Sequence, residues 1–193
     1  MTELLRMATK TPHYDICAAM CDSNRGIGLK GYFPWPYLKG DHDHYKKLTM
    51  TRVDPTKSIA FILGRRTWEF WYEEERETAG LHNIVISSTV QDGHHPSIHK
   101  VCSTFDLAIE YLTTPSVVEK IERIWVMGGS QNYQIAVNHK ACNRLYLTRI
   151  FGDFEADVFF PEFEEKFRKI SCSDAHIYED NGVQYCFEVY KKL

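Results

Sequence analysis

Arg123-Ile124-Trp125-Val126-Met127-Gly128-Gly129-Ser130, with residues 131–137 behind it, is the stretch that decides the architecture. Its first five residues form an apolar run of strand length that stops on two glycines, and a helix-length segment follows at once. A buried strand therefore feeds directly into a helix. The pattern repeats upstream. Residues 58–63 are a second such run, closed by Gly64 and followed by Arg65-Arg66-Thr67-Trp68, and residues 14–21, 84–86 and 98–102 read as further strands. Residues 104–114 form an amphipathic helix with a Thr104 cap. Strands that alternate with helices predict an α/β fold on a mostly parallel central sheet flanked by helices.

Downstream the pattern changes. Residues 145–150 read as a strand and 153–161 as an irregular apolar segment. Residues 167–177 and 184–190, joined through Glu179-Asp180-Asn181-Gly182, read as a terminal hairpin with no helix between. An antiparallel strand at the end of the parallel sheet is expected.

The 193 residues fit one domain over 13–193, with 1–12 as an N-terminal extension. Hydrophobic content of 44% and charged content of 25% are those of a globular chain, and a net charge of −3 argues against nucleic acid as main partner. Six cysteines lie scattered without a Cys-x-x-Cys pair, which predicts reduced core thiols. No apolar run reaches 18 residues, so a cytoplasmic protein with no membrane partner is expected, and a monomer.

Two places promise chemistry. Residues 26–36 combine three glycines with Pro34-Trp35-Pro36, a shaped loop with a flat aromatic wall. After it Tyr37, Leu38, Asp41, Tyr45, Leu48 and Thr49 recur at spacings of three and four, which puts Asp41 on the inward face of a helix. Loss of hydration there raises a carboxyl's proton affinity, while the plainer reading makes Asp41 a cap in a first helical turn. The second place is the pair of strand-to-helix junctions at Gly128-Gly129-Ser130 and Gly64-Arg65-Arg66-Thr67. Unpaired N–H groups and arginines there suit a phosphate, although tight turns with a Thr cap account for the same residues.

No metal site is expected. Asp41-His42-Asp43-His44 has ligand chemistry, but neighbouring residues on a helix point different ways, and His94-His95 reads as a surface turn.

Taken together, these residues resemble dihydrofolate reductase of the animal type. The resemblance runs from Tyr14 to the C-terminus through residues 24–28, 34–38, Asp41, 64–68, 125–130 with Tyr133, 148–161 and 187–190. It implies about eight strands, the last antiparallel, and hydride transfer from NADPH to dihydrofolate, giving tetrahydrofolate. Antifolate inhibitors are implied as further ligands. By position, Asp41 resembles the acid that promotes protonation of the pterin N5, with Trp35 and Thr148 orienting it through an ordered water. Cys17 and Met127 match carbonyls facing the pterin. Ala18, Tyr45 and Trp71 match its apolar walls, and His42 stands where a phenylalanine is usual.

The resemblance also implies a cofactor site. Ala19, Ile27 and Gly28 match the nicotinamide contacts, with Tyr133 beside that ring. Gly128, Gly129, Ser130, Gln131, Arg66 and Thr67 match the phosphate cradle, with a cis bond between the two glycines. Arg65 fits recognition of the 2′-phosphate, while Ser87 and Ser88 lie near it, Ser88 and Ser103 at positions where arginine is often found. Leu81 replaces an arginine that pairs with the folate glutamate, leaving Arg76 and His82 as substitutes. The alternatives are a reductase of another pterin or of a flavin precursor, or a non-catalytic folate-, nucleotide- or RNA-binding regulator.

Overall fold

The structure, a computed structural model, describes residues 12–172 and 176–193. The extension 1–12 lies outside them apart from Pro12, as does part of the expected strand 167–177. The chain runs β1 (Tyr14–Cys21), β2 (Gly26–Gly28), α1 (Lys39–Met50), β3 (Ser58–Gly64), α2 (Arg65–Phe70) and α3 (Glu73–Arg76). It continues through β4 (Leu81–Ile86), β5 (Ile98–Cys102), α4 (Phe105–Thr113), α5 (Pro115–Val118), β6 (Ile121–Val126) and α6 (Ser130–Asn138). Then come β7 (Cys142–Phe151), β8 (Val158–Phe159), β9 (Phe167–Cys172), β10 (Tyr178–Asp180) and β11 (Val183–Lys192).

The central sheet has the order β10-β11-β7-β1-β6-β3-β4-β5. From β7 to β5 every pairing is parallel, and β11 joins β7 antiparallel. Strand β3 shows why both faces are covered. Ala60 and Ile62 belong to a core with Phe105, Ala108 and Leu112 of α4 and Tyr133, Ala136 and Val137 of α6. Ile59, Phe61 and Leu63 belong to another core with Trp68 of α2 and Tyr45 and Leu48 of α1. Alternate residues of one strand thus enter opposite layers, as a parallel sheet requires.

Five readings need correction. Helix α1 begins at Lys39, so Tyr37 and Leu38 precede it, and Tyr37 is 61% exposed. Helix α2 begins at Arg65 with Gly64 as its N-cap, which puts Thr67 inside the first turn and leaves it no capping role. The third strand extends back to Leu81, because pairing with β3 through Ile59↔Leu81 outweighs the polar His82 and Asn83. The terminal hairpin is β10–β11, turning at Asn181 and Gly182, whose φ values are 49° and 76°. Strand β9 pairs separately with the far half of β11, so the segment expected as the first hairpin strand lies elsewhere on β11, and β10, which does form the hairpin, comes from the stretch read as the connection. The irregular apolar segment also holds a short strand, β8, which pairs with β2 beneath the glycine loop.

Candidate active site

In the parallel part of the sheet the chain leaves β3, β4, β5 and β6 at one edge. Strand β6 is inserted between β1 and β3, which creates the crevice where such sheets take ligands. Asp41 enters from the first turn of α1. Its Oδ1 accepts a bond from Thr148 Oγ1 of β7 at 2.7 Å. Leu38 occupies the N-cap position and offers no side-chain cap. The helix is capped from elsewhere: Asp180 Oδ2, on β10, accepts from Gly40 N at 2.7 Å and from Tyr185 Oη at 2.8 Å. Asp41 is thereby released from capping. Burial pushes its carboxyl above the usual carboxylate range and Asp180 adds to the effect, while the Thr148 bond and the adjacent His42 pull it back.

The four residues Asp41 to His44 separate as a helix demands. Asp41 meets Thr148, His42 meets Glu75, Asp43 pairs with Lys39, and His44 stacks on Phe187 at 3.7 Å. Trp35 is buried with Leu38 and Tyr185, lies face to face with Phe33 at 5.7 Å, and meets Phe154 edge-on at 6.1 Å. On the other side, Tyr45 packs near Trp71 with ring centres 6.2 Å apart, and Trp71 meets Phe61 edge-on. The Tyr45 hydroxyl is buried with no hydrogen-bond partner among the described residues. Tyr133 Oη donates to the Cys17 carbonyl at 2.8 Å and so ties α6 to β1. Ala18, Ala19 and Ile27 are half-buried alongside. The Cys17 thiol is pushed upward by burial and by Asp41, so it stays protonated.

The phosphate-type junctions converge. Met127 N donates to Ile62 O, Gly64 N donates to Gly128 O at 2.8 Å, and the Gly128–Gly129 bond is cis. A Cβ added at Gly129 would lie 3.2 Å from Thr67 Oγ1, and one at Gly128 would lie 3.3 Å from Tyr133 Oη. Both contacts are tighter than a Cβ ordinarily makes, so a side chain at either position would have to push Thr67 or Tyr133 aside. Gly129 caps α6 without a side-chain bond, so the first N–H groups, from Ser130 and Gln131 onward, have no side-chain cap. Arg66 is exposed beside this cradle, whereas Arg65 pairs with Glu69 at 2.7 Å. Ser87 Oγ accepts from Thr89 N and Val90 N, so it shapes its own turn, and Ser88 is exposed. A bare backbone at a helix N-terminus with cations nearby fits a polyphosphate-bearing cofactor.

These residues also match a known family. The dihydrofolate reductase family model matches residues 16–192. The chain belongs to the dihydrofolate reductase family. It is 34% identical to the Sus scrofa dihydrofolate reductase over 180 residues, 91% of this chain and 96% of the relative. It is 33% identical to the Aedes albopictus dihydrofolate reductase, covering 93% and 97%, and to the viral dihydrofolate reductase of Saimiriine herpesvirus 2, covering 92% and 84%. As a dihydrofolate reductase the chain is an oxidoreductase that uses a nicotinamide cofactor to reduce dihydrofolate to tetrahydrofolate. The reading as a non-catalytic regulator gives way to this family.

The two residues expected to substitute for an arginine at position 81 have partners of their own. Arg76 lies over the Trp68 ring at 4.4 Å. His82 bonds Tyr111 at 2.9 Å and is pushed down to about 4 by burial, then by His99 and Lys120, so it is neutral near pH 7. Leu81 is itself buried in the core with Ile59, Phe61 and Trp68. His95, read as a turn residue, lies with Glu73 and Glu77, their ligand atoms within 4.8 Å, and Ser97 already engages its Nδ1. Sequence reasoning missed Asp180 and Glu75. The Asp-Asn-Gly turn marked where Asp180 bends, but no local signal revealed that it faces α1.

Proposed function

We propose that Asp41 is the acid that promotes protonation of the dihydrofolate N5, in an enzyme whose cofactor is NADPH. The observation that carries this is the half-buried Asp41 carboxyl, held by Thr148 and kept above its ordinary proton affinity. A carboxyl in that state retains a proton further towards neutral pH than an exposed one, which general-acid chemistry needs. Gly128, Gly129, Ser130 and Thr67, with Arg66 at the rim, would hold the nicotinamide cofactor, which would supply a hydride. Asp41 orients the pterin ring and raises the proton population at N5, the nitrogen of the C=N bond whose carbon would receive the hydride. Trp35, packed on Leu38, stands on one side of the acid as the residue that would hold an ordered water with Thr148, and Tyr45 and Trp71 wall the other. Tyr133, fixed by the Cys17 carbonyl, keeps α6 and its cradle in register with β1.

The test is the oxidation of NADPH with dihydrofolate, followed in the parent and in Asp41→Asn. The variant keeps cofactor affinity and loses about 10² to 10⁴-fold in turnover, the usual contribution of a positioned acid. Turnover of Asp41→Asn within about twofold of the parent across the pH range, far below that contribution, overturns the assignment.

A further inference from the structure

Away from the catalytic corner, three side chains with metal-ligand chemistry meet beside α3. Glu73 opens that helix and Glu77 is its C-cap, with Glu77 N donating to Glu73 O at 3.0 Å, so the two carboxylates stand one turn apart on one face. His95, from the turn that leads into β5, faces them, and one ligand atom from each of the three lies within 4.8 Å of the others. Neither glutamate has an ion pair among the described residues. The cation of the same helix, Arg76, lies over the Trp68 ring instead, and the neighbouring Glu75 is engaged by His42 and Lys46. Two carboxylates drawn together without a cation repel one another, and an imidazole nitrogen beside them completes a set that a small dication satisfies. We propose that Glu73, Glu77 and His95 form a binding site for a divalent transition-metal ion of the Zn²⁺ type, which ties α3 to the turn before β5.

The surroundings of the imidazole suit that role. Its ring stands edge-on to Trp68 with centres 5.0 Å apart, which limits how it can turn. Ser97, itself buried, brackets Nδ1 with Oγ at 3.0 Å and N at 3.2 Å. A hydroxyl oxygen can accept and a backbone N–H can donate, so Ser97 satisfies Nδ1 in either tautomer and leaves Nε2 as the nitrogen for an ion. When an ion takes the Nε2 lone pair, the ring proton sits on Nδ1 and is donated to Ser97 Oγ, the outer contact that metal-bound histidines ordinarily make. Ligands about 2.1 Å from a tetrahedral ion stand about 3.4 Å apart, so the trio closes by rotamer changes of two exposed glutamates. One nitrogen and two carboxylate oxygens suit Zn²⁺ and its first-row neighbours, whereas Mg²⁺ and Ca²⁺ seek oxygen alone, and water fills the remaining positions. Sequence spacing hides the trio. Strand β4 runs between its two halves, and only the pairing of β4 with β5 returns the turn to α3.

The experiment titrates the folded protein with Zn²⁺ in a buffer that does not chelate it, by calorimetry, in the parent, His95→Gln, Glu77→Gln and His94→Gln. The parent takes up one equivalent, and its affinity falls at least about tenfold in His95→Gln and in Glu77→Gln, the smallest loss that damage to a metal's surroundings ordinarily brings. His94→Gln, at the exposed neighbour outside the trio, leaves the affinity unchanged. Thermal unfolding gives a second readout: Zn²⁺ at about a hundredfold excess over its dissociation constant raises the midpoint of the parent and not that of His95→Gln. Co²⁺ in place of Zn²⁺ gives visible bands in the parent that His95→Gln loses. Uptake that His95→Gln leaves intact overturns the proposal, as does the absence of uptake. Near-ultraviolet charge-transfer absorption with Co²⁺ also overturns it, because that signal places the ion on a cysteine thiolate. So does Mg²⁺ that competes with Zn²⁺ on equal terms, the behaviour of two glutamates acting without the imidazole. The substituted side chains are exposed or half-buried and lie outside the catalytic corner, so circular dichroism and dihydrofolate turnover stay at the parent's values. Should His95→Gln fail to fold, Glu77→Gln decides by the same criteria.

Discussion

At the scale of single residues, the cofactor end of the site turns on how Arg65 is used. Its guanidinium is held by Glu69 one turn along α2, with both side chains partly exposed. Such a pair contributes little stability and exchanges readily with a better anion, and a phosphate that accepts two bonds from an arginine is one. Arg65→Ala therefore narrows the ratio of NADPH to NADH affinity by about tenfold, the worth of one charge-assisted bond. Glu69→Gln releases the guanidinium and widens the ratio. Titration of each variant with both cofactors checks the pair of outcomes, and a ratio unchanged in Arg65→Ala moves 2′-phosphate recognition to Arg66. Asp41 and the glycine pair were legible in the sequence because each breaks a local rule, a carboxylate on an apolar face and two glycines ending a strand, whereas Thr148 came from the resemblance alone. Glu75 was not legible, since a Glu-Glu-Glu-Arg segment looks like any solvated surface turn, and only the fold brings its third residue against α1.

At the scale of elements, α1 depends on a hairpin remote in sequence. Glycine inside a first helical turn normally weakens a helix, yet Gly40 is required here. A Cβ at that position would lie 2.2 Å from Tyr185 Oη and 3.1 Å from Asp180 Oδ2. Gly40→Ala therefore forces β10 and β11 away from the helix and breaks the bond from Gly40 N to Asp180. Alanine's better helix propensity, about 1 kcal/mol, is offset by the collision and by the loss of a cap worth about as much. Denaturant titration should show a protein less stable than the parent, with weaker dihydrofolate binding because Asp41 is the next residue. A more stable Gly40→Ala protein would show that the hairpin yields without cost. The extents of the strands were read less well than their existence. Pairing with neighbours lengthened β4 and β7 over polar residues, and no periodicity within a segment can announce a partner supplied by another.

For the whole molecule, the titrating groups pull stability in opposite directions with pH. His82 falls to about 4 in the folded protein from an ordinary value of 6.5, because burial disfavours the charged ring. The unfolded chain then binds the proton more readily, so stability rises from about pH 4 to 6.5 and is lost as the pH drops back through that window. His99, beside it, is lowered in the same direction by burial. His82→Gln should flatten the acid limb of a plot of denaturation midpoint against pH, and an unchanged limb would assign it to other groups. Asp41 has the opposite sign. Its folded-state value lies above 3.8, so ionisation disfavours folding as the pH rises past that point. Asp41→Asn should accordingly be more stable than the parent at pH 7, with the gap closing towards pH 4, while its turnover collapses. The acid is kept at the expense of the fold, as functional groups often are.

The bond from Gly40 to Asp180 has a meaning in time as well as in space. A ribosome releases α1 long before the β10–β11 hairpin, for the two partners are 140 residues apart. Until that hairpin has been synthesised and docked, the first turn of α1 lacks the carboxylate that caps it, and Asp41 has no fixed place. Strand β7, which carries Thr148, also emerges late. A nascent chain can therefore pair β3, β4 and β5 while β1, whose neighbours β6 and β7 come later, and the catalytic corner stay unformed. Ligands that need Asp41 would rescue only chains whose translation has passed Asp180, and a pulse of translation arrest before that codon should yield a folded intermediate that does not retain folate analogues.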